Sequence, residues 1–322
     1  MGAKDIKAKE YLADNTRFAD LCNAVLFDGE QVISPESLRE SDAAEVLSIR
    51  ENGNDKVNIQ RMRDLLKNAV IKFTGNEYIV LIGVENQAKI HYAAAVKSML
   101  YDAVNYGAQV KAIGKKHKKN RDNCSEDEYL SGFHKGDRLI PIITITVYWG
   151  SGRWDGARSL YEMFGEVDER LKNYISDYRM NLVSPYEIDD FSKFKTTLGE
   201  VLEVIKCSHD MKAMVNLFDS NPRFKSMDVE SVSMISTYTG INIPMGENGG
   251  KTKMVNMCKA WEDRIEIGRE EGREDGAVCG IVRMGRRYNA SEDEMLDMII
   301  SETKMDRDKA RKSMEMAMKA VR

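Results

Sequence analysis

Two β-branched runs four residues apart, KNAVIKF at 67–73 and YIVLIGV at 78–84, constrain this chain more than any other stretch. The intervening TGNE carries the glycine and asparagine of a tight connection, so the pair predicts an antiparallel β-hairpin. With the turn centred between Thr74 and Gly75, opposed positions are those whose numbers sum to 149. Asp64 and Glu85 satisfy that sum. Directly opposed residues share a face with Cβ atoms about 5 Å apart, and the two-residue alternation of a strand adds Gln87 to that face. An apolar strand thus ends in two converging carboxylates and an amide. Burying one ionised carboxylate costs several kcal/mol unless a charge compensates it, and like charges this close favour a shared proton or a cation. Carboxylate oxygens suit a hard ion, Mg²⁺ or Mn²⁺, and an ion held there fits metal-assisted hydrolysis of a phosphodiester. A plainer arrangement stands beside it: Arg61 or Arg63 pairs with Asp64 at the surface, and Glu85 and Gln87 cap a strand end.

The rest of the first half is mixed α/β. Helical spacing of Leu12, Phe18, Leu21, Cys22 and Val25 predicts an opening helix over 8–26, ended by DGE. A long helix over 91–113 buries Val96, Leu100, Ala103, Val104 and Val110. LIPIITITVYWG at 139–150 reads as a central strand, followed by a short helix at SLYEMF. Composition agrees with a globular chain: 322 residues, 42% hydrophobic, with no apolar stretch near the roughly 20 residues of a membrane helix. The expected location is cytoplasmic, without a membrane partner. Five scattered cysteines with no C-x-x-C pair indicate a reduced compartment and no zinc site. A net charge of −4 excludes a generally basic nucleic-acid coat and leaves room for a local basic patch.

From about Asp189 the text turns helical, interrupted by VSMISTYTGINIPM. Gly268, Gly272, Gly276 and Gly280 recur at period four, a helical face that allows close approach of a partner helix or of the body. Three regions follow: residues 1–190, a helical region at 191–262, and a charged helical tail at 263–322 that could join copies of the chain. Two motif-like segments fail on spacing. In GENGGKTK the first P-loop glycine is missing, since Met245 stands five before Gly250. Cys207, His209 and Asp210 lie too close together on one helix to converge as nucleophile and base.

The run RDLLKNAVIKF…YIVLIGVENQAKIHYAAAVKSMLYDAVNY, followed by RLIPIITITVYWGSGRWDGARSLYEMF, resembles the PD-(D/E)XK nuclease superfamily. Within it the likeness is closest to the recombination-promoting nuclease (Rpn), transposase-like family, and it covers roughly residues 8–190. In that superfamily an aspartate opens one hairpin strand and an (Asp/Glu)-x-Lys motif ends the next. Asp64 matches the aspartate, Glu85 the acid, and Gln87 stands where lysine is usual, as a Glu-x-Gln version typical of the Rpn branch. The resemblance implies a restriction-endonuclease-like α/β core, a mixed sheet flanked by helices, with a helical C-terminal region. It also implies Mg²⁺-dependent (or Mn²⁺-dependent) DNA endonuclease activity linked to recombination or mobile DNA. Asp64 and Glu85 would be the metal ligands, and Gln87 would orient water or a phosphate oxygen.

Lys97, Tyr101, Asp102, Tyr106 and Gln109 on the helix after the motif are candidates to flank a DNA cleft. Lys97, Tyr101 and Tyr106 are taken as DNA-binding. Lys115, Lys116, Lys118 and Lys119 in KAIGKKHKKNR read as a solvated, charged loop able to bind phosphate. Asp20 on the first helix is a further acid of the kind superfamily members sometimes add, or an exposed helix charge. The opposing reading is a catalytically silent DNA-binding or assembly protein that keeps the fold and oligomerises through its tail.

Overall fold

The computed structural model describes residues 2–40, 64–73, 76–241, 243 and 254–320. The predicted opening helix is two helices, α1 (Ala3–Ala13) and α2 (Asn15–Leu26). The break is chemical: Asp14 adopts extended backbone (φ −60°, ψ 125°) and its carboxylate accepts from the amides of Thr16 and Arg17, capping α2.

A five-stranded mixed sheet follows, ordered β1 (Arg39–Glu40), β2 (Leu65–Phe73), β3 (Asn76–Gln87), β4 (Ile142–Tyr148) and β5 (Asn181–Val183). Strands β1, β2 and β3 are antiparallel, and β4 and β5 run parallel to β3. The hairpin has the expected register, from Leu65 opposite Val84 to Phe73 opposite Asn76. The parallel return from β3 to β4 needs a crossover, and helix α3 (Ala94–Asn120) supplies it, trailed by the short α4 (Glu126–Ser131).

Helix α3 is seven residues longer at its C-terminal end than its apolar spacing predicts, because the lysine-rich segment is helical, not a loop. Lysine is a good helix former, and cations at a helix C-terminus complement its dipole. Arg121 ends the helix in the left-handed region (φ 58°).

Two buried polar anchors set the sheet against its helices. Lys67 of β2 is 1% exposed, and its ammonium donates to the carbonyl of Ala13 (2.6 Å) and to Asn15 Oδ1 (2.6 Å), tying the sheet to the α1–α2 break. On α3, Asp102 accepts from Thr144 Oγ1 of β4 (2.6 Å) and from the Tyr178 hydroxyl (2.7 Å). Trp149, immediately after β4, is fully buried beside Tyr11 and Tyr238.

Helices α5 (Leu160–Met163) and α6 (Glu169–Lys172) lie between β4 and β5, and α7 (Leu198–Cys207), α8 (Met211–Ser220) and α9 (Val229–Thr239) follow. The segment read as an interruption is helical as far as Thr239, capped by Asp228 at its start and by Gly240 (φ 73°) at its end. Asp210 likewise caps α8 through the amides of Lys212 and Ala213, so Cys207, His209 and Asp210 do not share one helix but span the turn from the last residue of α7 to the cap of α8. Strands β6 (Met227–Asp228) and β7 (Met254–Val255) form a separate two-stranded ladder.

The chain divides into two compact units, Met1–Asn242 with Lys253–Val255, and Ile243–Thr252 with Asn256–Arg322. Residues 191–242 thus share a unit with 1–190. The second unit holds α10 (Met257–Tyr288), α11 (Glu292–Thr303) and α12 (Arg307–Ala320). Val278 and Val282 of α10 pack with Leu296, Ile299 and Met314 in its own core. The four periodic glycines lie on α10, and beyond the adjacent residues and the helix's own backbone no described atom comes within 4 Å of where a Cβ would stand on any of them. Among the described residues no helix is long and apolar enough to cross a membrane.

Candidate active site

Asp64 stands one residue before β2, and Glu85 and Gln87 close β3. Leu65 stands opposite Val84 at the open end of the hairpin, so Asp64 and Glu85 are the next residues along the two chains, and both acids are buried, Asp64 8% and Glu85 2% exposed. Arg61 and Arg63, the alternative partners of Asp64, lie outside the described residues. Asp64 Oδ2 accepts from the backbone amide of Asn86 (2.7 Å). Burial pushes the Asp64 carboxyl above the usual carboxylate range, against the opposing pull of the Asn86 amide and the positive charges of Lys97 and Lys9. An acid in that condition gains from any cation brought to it.

Helix α3 delivers one cation. Lys97, in its first turn, places Nζ 2.9 Å from Glu85 Oε2. Burial lowers the ammonium's proton affinity, and the Glu85 carboxylate outweighs that effect, so its pKa lies above the ordinary value. Tyr101, one turn further, is buried, with its ring centroid 5.4 Å from Lys97 Nζ. Burial and the negative charges of Glu85 and Asp64 raise the Tyr101 phenol, while Lys97 opposes the shift. Asp64, Glu85, Lys97 and Tyr101 therefore form one electrostatic cluster.

Gln87 is half-buried on the wall of a cleft of about 420 Å³ that Gly2, Lys4, Asp5, Lys89 and His91 also line. Its backbone is fixed, since the carbonyl accepts from Trp149 N (2.9 Å). Of the three residues that close β3, Glu85, Asn86 and Gln87, it alone is not buried.

The sequence could not single out Asn86 and Trp149 as parts of this arrangement. Asn86 is 4% exposed and holds Asp64 from its amide, while its own Oδ1 accepts from Trp149 Nε1 (2.8 Å). The only signal was a third polar residue in a strand that should still have been apolar. The structure thus links Trp149 to Asn86 and Asn86 to Asp64.

The remaining candidates lie elsewhere. Tyr106 accepts a hydrogen bond from the amide of Ile142, which pairs with Leu81 at the opposite end of the β3–β4 ladder from Glu85 and Thr146. Gln109 pins the chain before β4 through both backbone groups of Ile140. Asp20 is neither a site acid nor an exposed charge: it is 3% exposed and accepts from the amides of Lys195 and Thr196 and from the Thr196 hydroxyl. GENGGKTK at 246–253 falls outside the described residues.

Lys115, Lys116, Lys118 and Lys119 are exposed on the last turns of α3. Lys115 follows Lys97 by 18 residues, about 27 Å of helix, so the tract cannot serve the phosphate that the two acids serve. Its end is fastened. His117 sets Nδ1 2.7 Å from Asp122 Oδ2 and Nε2 2.9 Å from Asp137 Oδ2, with the His134 ring stacked on it at 3.6 Å. Gly114 lets the Gly132 loop approach, since a Cβ there would stand 2.9 Å from the Gly132 carbonyl oxygen.

Hydrogen bonds to Asp122 and Asp137 raise the His117 pKa. A group whose folded pKa exceeds its unfolded value, near 6.5 for histidine, contributes stability that is complete below the unfolded value and lost as pH rises through the folded one. Urea unfolding of the wild type and His117→Gln should therefore differ most near pH 5.5, with the gap closing toward pH 8.5. A gap that widens with pH would contradict this sign.

Among the described residues no three His, Cys, Asp or Glu side chains gather to hold a metal ion. Two carboxylates nonetheless suit Mg²⁺, which commonly takes one or two protein carboxylates and completes its shell with water and substrate phosphate oxygens. The donor set of Asp64 and Glu85 fits that chemistry. Comparison of the chain with protein-family models, curated proteins and solved structures returned no match.

Proposed function

We propose that the chain is a metal-dependent DNA endonuclease of the PD-(D/E)XK kind, hydrolysing phosphodiester bonds at the end of the β2–β3 hairpin, in recombination or mobile-DNA processes. The observation that carries this reading is the presence of two buried acids at the open end of one hairpin, with the Asp64 carboxyl raised by burial. An aspartate just before one strand and Glu-x-Gln closing the next is the arrangement that the resemblance implies. Asp64 and Glu85 would hold Mg²⁺ or Mn²⁺, which supplies charge to activate water and to neutralise the phosphate. Asn86 keeps Asp64 oriented. Gln87 offers an amide at the cleft wall, where it can hydrogen-bond water or a phosphate oxygen. The exposed lysines of α3 offer a second, distant contact to a nucleic-acid backbone, and binding through them weakens as salt rises.

A second reading has its own support. Lys97 already neutralises Glu85, and Gln87 carries no charge, which suits a DNA-binding protein without catalysis. Nicking of supercoiled plasmid separates the two. Cleavage that needs Mg²⁺ or Mn²⁺, stops with chelator, and is lost in Asp64→Ala and Glu85→Ala supports the nuclease. No cleavage of duplex, single-stranded or branched DNA by the wild type, with binding intact, supports the silent protein.

A further inference from the structure

The motif leaves a chemical gap. Two acids and an amide provide no fixed positive charge for the pentacovalent phosphate, where developing negative charge is best met by a preorganised donor. Lys97 meets that need from a different element. Its ammonium sits 2.9 Å from the buried Glu85 carboxylate, yet its side chain keeps 28% of its surface exposed while that of Glu85 keeps 3%. Lys97 is thus the solvent-accessible member of the pair, the one that a phosphate arriving from solvent can reach. The Tyr101 ring, 5.4 Å away, backs it one turn along the same helix. Asp64 feels the same charge, so Lys97 bears on both acids.

Resting on the nuclease reading, we propose that Lys97 is a catalytic residue that donates a hydrogen bond to a non-bridging oxygen of the scissile phosphate, filling from α3 the role that a lysine at position 87 would fill from β3. In the reaction, a water oxygen forms a bond to phosphorus and the bond from phosphorus to the leaving ester oxygen breaks. The water's proton passes to solvent and the leaving oxygen takes one from solvent, so one water is consumed and a phosphate monoester and an alcohol result. Lys97 remains an ammonium throughout and takes no part in proton transfer.

The competing role is structural: Lys97 only neutralises Glu85. The two roles separate at saturating metal. A metal ion on Glu85 replaces the neutralising charge, so under the structural role Lys97→Gln and Lys97→Met cleave at the wild-type rate once Mg²⁺ saturates. Under the catalytic role, single-turnover cleavage at saturating Mg²⁺ and DNA falls about 100-fold in both. Lys97→Arg should keep activity within about tenfold, and adding Gln87→Lys to Lys97→Gln should restore at least about tenfold, because the charge returns to the same phosphate. Lys97→Gln keeps a hydrogen-bond donor for Glu85 and guards against loss of folding in Lys97→Met.

A second readout needs no catalysis. Mn²⁺ binding to the full chain, followed by electron paramagnetic resonance, should be no weaker in Lys97→Gln than in the wild type. Weaker Mn²⁺ binding, or wild-type rates at saturating Mg²⁺, would overturn the role of Lys97 while leaving the nuclease reading intact. A wild type that cleaves nothing removes both.

Discussion

Asp64→Asn should abolish metal-dependent cleavage, by about 1,000-fold or more, and at the same time raise the stability of the protein by about 1 kcal/mol at neutral pH. The two effects have one cause. Asp64 is buried and its carboxyl is raised by that burial, so the folded state is worse off for its charge. Asparagine keeps an oxygen to accept from the Asn86 amide and removes the charge. The pH dependence carries a sign. A carboxyl whose folded pKa lies above its unfolded value near 3.9 penalises folding only once it ionises, so the gain in Asp64→Asn should appear as pH rises through the raised value and vanish near pH 3. Urea titrations of both proteins between pH 3 and 8 would read it. A variant less stable than wild type at every pH would mean that Asp64 is a structural ion-pair partner and not an acid held at a cost for function.

Trp149 should give the largest loss of stability. Truncating a fully buried tryptophan costs about 3–5 kcal/mol, and Trp149→Ala also removes its packing against Tyr11 and Tyr238. Trp149→Phe is the more instructive variant. It keeps an aromatic ring and removes the Nε1 donor, leaving Asn86 Oδ1 buried without that partner, for about 1–2 kcal/mol. Because Asn86 also orients Asp64, cleavage should fall about 10- to 100-fold in the phenylalanine variant. Denaturant unfolding and single-turnover assays on the same preparation separate the two effects. Reduced stability with undiminished cleavage would show that the Asp64 carboxylate does not depend on the Trp149–Asn86 hydrogen bond.

The hairpin was legible in the sequence because its information is local. Two β-branched runs, one short connection and a two-residue alternation fix the register without reference to any other part of the chain. That arithmetic is what places Asp64 and Glu85 together at the open end of the hairpin. What completes the site is not local. Lys97 could be named as polar and nearby, but its bond to Glu85 depends on how α3 crosses back over the sheet. Trp149 belongs to the apolar run at 139–150, and its bond to Asn86 spans 63 positions that no periodicity connects. The lysine tract misled for a different reason. Charge density says solvated, and a lysine-rich segment is equally soluble as the exposed end of a helix. Asp20 misled through burial: three donors from Lys195 and Thr196 satisfy a carboxylate whose surroundings in its own helix reveal none of them.

The hairpin's tight register also bears on how this chain can vary in length. Phe73 pairs with Asn76, leaving two positions between the strands, close to the shortest connection an antiparallel pair accepts. Added residues can be taken up by a longer loop with every pairing retained. Removal of one residue is absorbed by opening the Phe73–Asn76 pair into a three-residue loop with Lys72 still opposite Glu77, whereas a slip by a single position would turn the side chains of one strand to the opposite face and part Asp64 from Glu85. The site therefore tolerates a change of length or composition at this turn and is lost only when the register itself slips.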